Sequence, residues 1–138
     1  MDFESLKNKK IKHVSKLIEQ GKVCPEELTR FYLEKISNDP KAKDTFTEVF
    51  KRSAVDSAIE SKKRTKAGLR KGALDGIPIS VKDLADIKGK ITAGGSSITN
   101  KKKAENNAVF IDLLKSQGGI ILGKTHMTEL AFSGLGLN

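Results

Sequence analysis

The chain has 138 residues, of which 31% are charged and 37% apolar, and a formal net charge of +9. That leaves room for one compact domain or a piece of a larger one. The longest apolar run, about residues 118–123, falls far short of the ~20 residues a membrane helix needs, and the lone Cys24 excludes an internal disulfide framework.

In chain order, Phe3, Leu6, Ile11, Val14, Leu17 and Ile18 recur at helical spacing, so a helix is expected over residues 3–20, with Gly21 as its stop. CPEEL announces a second helix. Cys24 is its cap, Pro25 its first residue, and Glu26 and Glu27 suit the positive end of its dipole. This helix runs through Leu28, Phe31, Tyr32 and Ile36 and stops near Asn38-Asp39-Pro40. TFTEVF at 45–50 alternates and is rich in β-formers, so a strand is expected. Ser53 to Arg64 returns to helical spacing, and the Lys-rich residues 62–72 read as a loop. Ile77, Ile79 and Val81 alternate as a strand, and Pro78 marks it as an edge or its opening. Residues 88–103 are turn-rich. A helix over Ala108 to Gln117 ends in a glycine stop, a short buried strand follows at 120–123, and residues 128–132 start a helix or turn. Two leading helices followed by strand, helix, strand, loop, helix and strand make an α/β layered fold.

The net charge invites a nucleic-acid reading. However, it comes almost entirely from lysines in short separate runs: Lys7, Lys9 and Lys10, then Lys62 to Lys66, then Lys101 to Lys103. With Arg only at 30, 52, 64 and 70, no Trp and one Tyr, the forks and stacking platforms of such a surface are missing. A small basic nucleic-acid-binding module without catalysis is the rival from another class. An electrophoretic shift with RNA that weakens steeply with salt would favour it. The opening MDFESLKNKKIKH has acidic residues and no apolar segment of a secretory signal, so a cytoplasmic protein is expected.

GGIILGKT, residues 118–125, matches the phosphate-loop formula G-x-x-x-x-G-K-[ST]. A phosphate loop needs strand, flexible glycine loop, then helix. Here a helix precedes Gly118, and Ile120, Ile121 and Leu122 make a poor cradle and a good buried strand. The order is inverted, so the stretch reads as helix stop and strand.

Lys82 follows an apolar strand with the parity of Ser80. Periodicity alone favours a solvent-facing lysine beside Asp83. The functional alternative is a lysine enclosed at a strand end, where loss of solvent favours the neutral amine and lets it serve as a base for a serine. His13 reads as a surface residue. His126 lies near Glu129, with which a hydrogen-bonded pair of structural purpose is expected. No His, Cys or carboxylates have metal-ligand spacing.

GALDGIPISVKDLADIKGKITAGGSS (72–97) and NNAVFIDLLKSQGGIILGKTHMTELAFSGLGLN (106–138) resemble the amidase signature family, which includes bacterial amidases and the amidase subunit of the tRNA-dependent glutamine-forming amidotransferase. The resemblance rests on G-x-P-[IV]-x-[IV]-K-D, a turn-rich loop, and a long ordered pattern ending in G-K-T-[NH]-M-x-E-[FL]-A. It implies an α/β/α layered fold with a mixed central sheet, of which residues 1–138 form the N-terminal part. Residues 1–70 are then a helical lead-in with one strand, and residues 71–138 supply the lysine strand, turn-rich loop, helix and strand.

The implied chemistry is amide hydrolysis by a Ser–cis-Ser–Lys triad, with Lys82 matching the lysine. The two family serines belong to a Gly/Ser-rich segment further along than any residue present. Gly94–Ser97 matches the family's T-x-G-S loop instead, so neither Ser96 nor Ser97 is assigned as nucleophile. The chain is therefore expected to be a fragment that carries the base alone and is inactive by itself. The Leu130–Ser133 turn, with Phe132 as an apolar wall, is matched to the acyl pocket. The resemblance implies a small-molecule amide substrate, a homodimer or association with amidotransferase subunits, and no cofactor or metal. A fragment of the subunit that releases ammonia from glutamine is the alternative enzyme reading.

Overall fold

The computed structural model describes residues 2–99 and 102–132. Helices α1 (Ile11–Glu19), α2 (Pro25–Asn38), α3 (Ala42–Thr45), α4 (Lys51–Lys66) and α5 (Val109–Ser116) accompany strands β1 (Phe46–Val49), β2 (Pro78–Lys82) and β3 (Ile120–Thr125). The sheet order is β1-β3-β2. β1 runs antiparallel to β3 and β2 parallel to it, so the sheet is mixed. No helix among the described residues is long and apolar enough to cross a membrane.

The first expected helix divides in two. A 3-10 turn at Phe3–Leu6, capped by Asp2, precedes α1, which begins only at Ile11. Lys7, Asn8, Lys9 and Lys10 lie between them: a low-propensity residue among like charges, where a continuous helix is least favoured. The break lets Leu6 join Val14 and Ile18 in one cluster with Val23, Leu28 and Ile77. α2 starts as expected, with Cys24 as cap and Pro25 at its first position. α4 continues to Lys66, further than the charge pattern suggests. Its extension is held by salt bridges of Lys62 to Glu26 and of Arg64 to Asp75. Buried Ala54, Ala58 and Ser61 keep its inner face small and let it lie close to α2 and β3.

β3 is the central strand, and its apolar side chains divide between the two faces of the sheet. Ile120 and Leu122 pack with Leu33, Ala54 and Ala58 under α2 and α4. Ile121 packs with Phe50, Val81, Ala85, Ile87 and Ile111 on the side of α5. Ile79 pairs with Ile121 but Ser80 pairs with Gly123, so Leu122 is an extra residue on β3. Such a bulge resets side-chain alternation. Strict alternation would place Lys124 on the face of Ile120 and Leu122. The bulge instead places it beside Val81, on the α5 side.

GGIILGKT is therefore a helix stop followed by a strand. Gly118 has φ +80°, which ends α5, and a Cβ there would collide with the Asp75 carboxyl. A Cβ at Gly123 would collide with the carbonyl of Glu48, so only glycine allows β1 this close. Asp75 is fully buried. It takes two hydrogen bonds from Arg64, at 2.9 and 2.7 Å, and one from the Lys71 amide at 2.9 Å. Arg70 in turn donates to the Asp75 carbonyl at 2.7 Å and to Ser15 at 3.2 Å, tying the 70–75 turn to α1.

Burial pushes the Asp75 pKa up, but the opposing bonds from Arg64 and the Lys71 amide outweigh it, and the carboxyl stays below its usual range. A folded-state pKa below the unfolded value stabilises the fold above about pH 3.9, and that stability drains as pH falls through the folded pKa. Asp75→Asn should cost about 2–3 kcal/mol at neutral pH. In urea titrations the gap to wild type should narrow as pH falls below about 4; a gap that stays constant with pH would contradict this role for Asp75.

Gly118→Ala carries both the φ penalty and the collision, and should lower stability by about 2–4 kcal/mol. Gly21 has φ +69° but open space around it, so Gly21→Ala should cost only about 1 kcal/mol. Equal melting temperatures for the two variants would show that Asp75 does not need the space.

Candidate functional site

Lys82 is the last residue of β2, paired with Thr125. Its side chain lies opposite Val81 and is exposed. Among the described residues it makes no side-chain hydrogen bond or ion pair. Two clefts, of ≈ 530 and ≈ 560 Å³, do not include it. What the fold constrains is its backbone. The Lys82 carbonyl accepts from the amides of Leu84 at 2.7 Å and Ala85 at 3.2 Å, which makes a tight turn directly after the strand.

Among the described residues the buried lysine is Lys124, 1% exposed, beside Asp83 at 3%. Its Nζ donates to the Ile91 carbonyl at 2.6 Å and to Thr92 Oγ1 at 2.7 Å. Asp83 Oδ1 lies 3.0 Å from the same nitrogen, but without an aligned hydrogen bond, so this contact is an ion pair. Sequence reasoning does not single out this cluster. The detectable signal is a lysine sitting in an otherwise apolar strand, IILGKT.

Around the turn-rich loop, Gly94 donates to the Asp83 carbonyl at 2.9 Å and its own carbonyl accepts from Leu130 at 2.8 Å. Ser96 is buried, and its hydroxyl donates to Glu129 Oε1 at 2.6 Å. The expected His126–Glu129 pair does not form. Glu129 is taken by Ser96, whereas His126 is exposed and its backbone amide donates to the Thr45 carbonyl. Ser96 wins because the φ-positive Gly94-Gly95 turn brings its hydroxyl up to the segment after β3.

Leu130 and Ala131 both have left-handed backbones, at φ 50° and 61°. That is uncommon for residues with side chains. They carry Phe132 outward to 91% exposure. Ser133 lies outside the described residues. The structure thus places Lys82 at the head of the turn that Asp83, Lys124 and the 91–94 loop hold together, with Phe132 on a separate segment beyond Glu129. Several of the other basic side chains are already paired, among them Lys62 with Glu26, Arg64 with Asp75, and Lys90 with Glu48.

Removing one member of a buried charge pair strands the other, so Lys124→Met should destabilise the chain by about 3–5 kcal/mol. Replacing both, as Asp83→Leu with Lys124→Met, should recover at least half of that loss. Additive losses in chemical denaturation would show that the two charges do not depend on each other.

A family model described as Amidase matches residues 27–138. Curated relatives include a mitochondrial glutamyl-tRNA(Gln) amidotransferase subunit from Ornithorhynchus anatinus, 34% identical over 121 residues, or 88% of this chain and 23% of the relative. The corresponding subunit from Homo sapiens is 35% identical over the same coverage. Among solved structures, an amidase family protein from Bacillus anthracis superposes with TM-score 0.79 at 27% identity, over 92% of this chain and 26% of that one. The peptide amidase from Stenotrophomonas maltophilia shares the fold, with TM-score 0.80 at 23% identity over 90% of this chain and 26% of that one. The chain spans about a quarter of the length of these proteins.

Proposed function

Since the chain belongs to the amidase family, its model matching residues 27–138, we propose that it supplies the base for hydrolysis of a carbon–nitrogen amide bond, and that Lys82 is that base. The carrying observation is the coincidence of family match and geometry. Lys82 lies within the matched residues and ends an edge strand, with its backbone fixed and its side chain uncommitted to any described partner.

In this reading the Lys82 amine takes a proton from a bridging serine, which takes one from a nucleophilic serine. The nucleophile attacks the amide carbonyl, the carbon–nitrogen bond breaks, and the protonated amine or ammonia leaves. The acyl-enzyme is then cleaved by water. Ser96 is bound to Glu129 and is assigned neither serine role. The serines come from outside these residues, and Phe132 and Ser133 contribute to the acyl pocket. Residues 1–70 are the lead-in of a single amidase-signature domain, and residues 71–138 hold its lysine strand and loop.

A second reading is favoured by the 34–35% identity to glutamyl-tRNA(Gln) amidotransferase subunits. Here the amide is glutamine, the product ammonia is passed on, and the partners are the other subunits of that assembly.

The purified 138-residue chain should release no ammonia from simple amides or glutamine. Turnover that persists in Lys82→Ala would sink both the base assignment and the need for outside serines. In the polypeptide translated from the whole reading frame, Lys82→Ala should lower kcat by about 10²–10⁴-fold with little change in KM. Preference for glutamine over simple amides separates the two readings.

A further inference from the structure

We propose that Asp83 and Lys124 act together as a positioning pair for Lys82, fixing the direction in which it leaves the sheet; this rests on the reading of Lys82 as the base. Both polar groups of the Asp83 backbone are tied. Its amide donates to the Thr125 carbonyl at 2.9 Å, and its own carbonyl accepts from Gly94 at 2.9 Å. Its carboxylate faces Lys124. Lys124 Nζ reaches across to Ile91 and Thr92, and the Thr92 hydroxyl that accepts from Lys124 donates onward to the Ala85 carbonyl at 3.3 Å. The relay is continuous, from β3 through the 91–92 loop back to the end of the turn that starts at Lys82.

The turn that follows Lys82 is thereby held in place, while the Lys82 side chain makes no hydrogen bond or ion pair among the described residues. A buried ion pair adds little net stability over apolar packing of the same volume, whereas its directional bonds hold one geometry. The bulge at Leu122 is part of the device, because it turns Lys124 toward Val81 and the loop. The pair acts through the backbone and does not touch the reacting atoms.

The test uses two variants of the 138-residue chain. Thr92→Val breaks the relay without stranding a charge. Asp83→Asn with Lys124→Met removes both charges together. The first readout is amide hydrogen exchange, taken as the rate at Asp83, Leu84 and Gly94 relative to core amides of α2 such as Leu33. The double variant should raise this ratio at least ten-fold, and Thr92→Val should raise it by a smaller factor. A ratio that stays constant while all amides speed up together would mean the pair is only a general stabiliser, and would overturn the proposal.

The second readout is a nitroxide attached at position 82 (Lys82→Cys in a Cys24→Ser background), where the mobile fraction of the spectrum should at least double in both variants. An unchanged spectrum overturns the proposal even if exchange changes. Neither readout needs turnover. Loss of the base assignment would therefore leave them intact, and their failure would leave the base assignment standing.

Discussion

With β1 on one side and β2 on the other, β3 has its backbone tied laterally, and its side chains must serve both faces of the sheet. This constraint explains why IILGKT is almost wholly buried, from Ile120 through Lys124. It also explains the glycines around the strand. Gly118 is held against the Asp75 carboxyl and Gly123 against the Glu48 carbonyl, so each removes a Cβ that the neighbouring chain would strike. A strand fixed in this way sets where β2 ends and, with it, where Lys82 stands.

The two lysines at the ends of the β2–β3 pair show how one side chain meets opposite fates within one sheet. Lys82 faces away from Val81 and stays in water. Lys124, turned by the bulge onto the other face, is enclosed and must find partners there, because an unpaired buried ammonium is too costly to keep. Its partners are two oxygens of the turn-rich loop and the carboxylate that follows Lys82. The loop is rich in glycine and polar residues, and this polar network helps to position it, together with the bonds of Gly94 to Asp83 and of Ser96 to Glu129.

Much of the fold is legible in the residues. Cys24-Pro25 as cap and first turn, the alternation of Ile77, Ile79 and Val81, Pro78 at a strand opening and Gly118 as a stop all follow from local backbone chemistry. Periodicity misreads the 3–20 segment because it registers apolar spacing and ignores the charge run that breaks the helix at Lys7 to Lys10. The end of α4 is misread for the converse reason: its lysine-rich last turns are stabilised by Glu26 and Asp75, which are distant in sequence.

Which residues can form each element, and through the ordered G-x-P-[IV]-x-[IV]-K-D and G-K-T patterns which family the chain resembles, can be read along the chain, because these are properties of neighbours, where spacing and backbone preference suffice. Periodicity already favours a solvent-facing Lys82, but it takes the folded arrangement to show that Lys124 is buried, that Ser96 rather than His126 engages Glu129, and that Asp75 is the carboxylate sealed beneath Gly118. Each of those outcomes depends on a bulge, a loop closure or a long-range charge partner, and so on contacts between segments whose spacing in the chain carries no signal of their meeting.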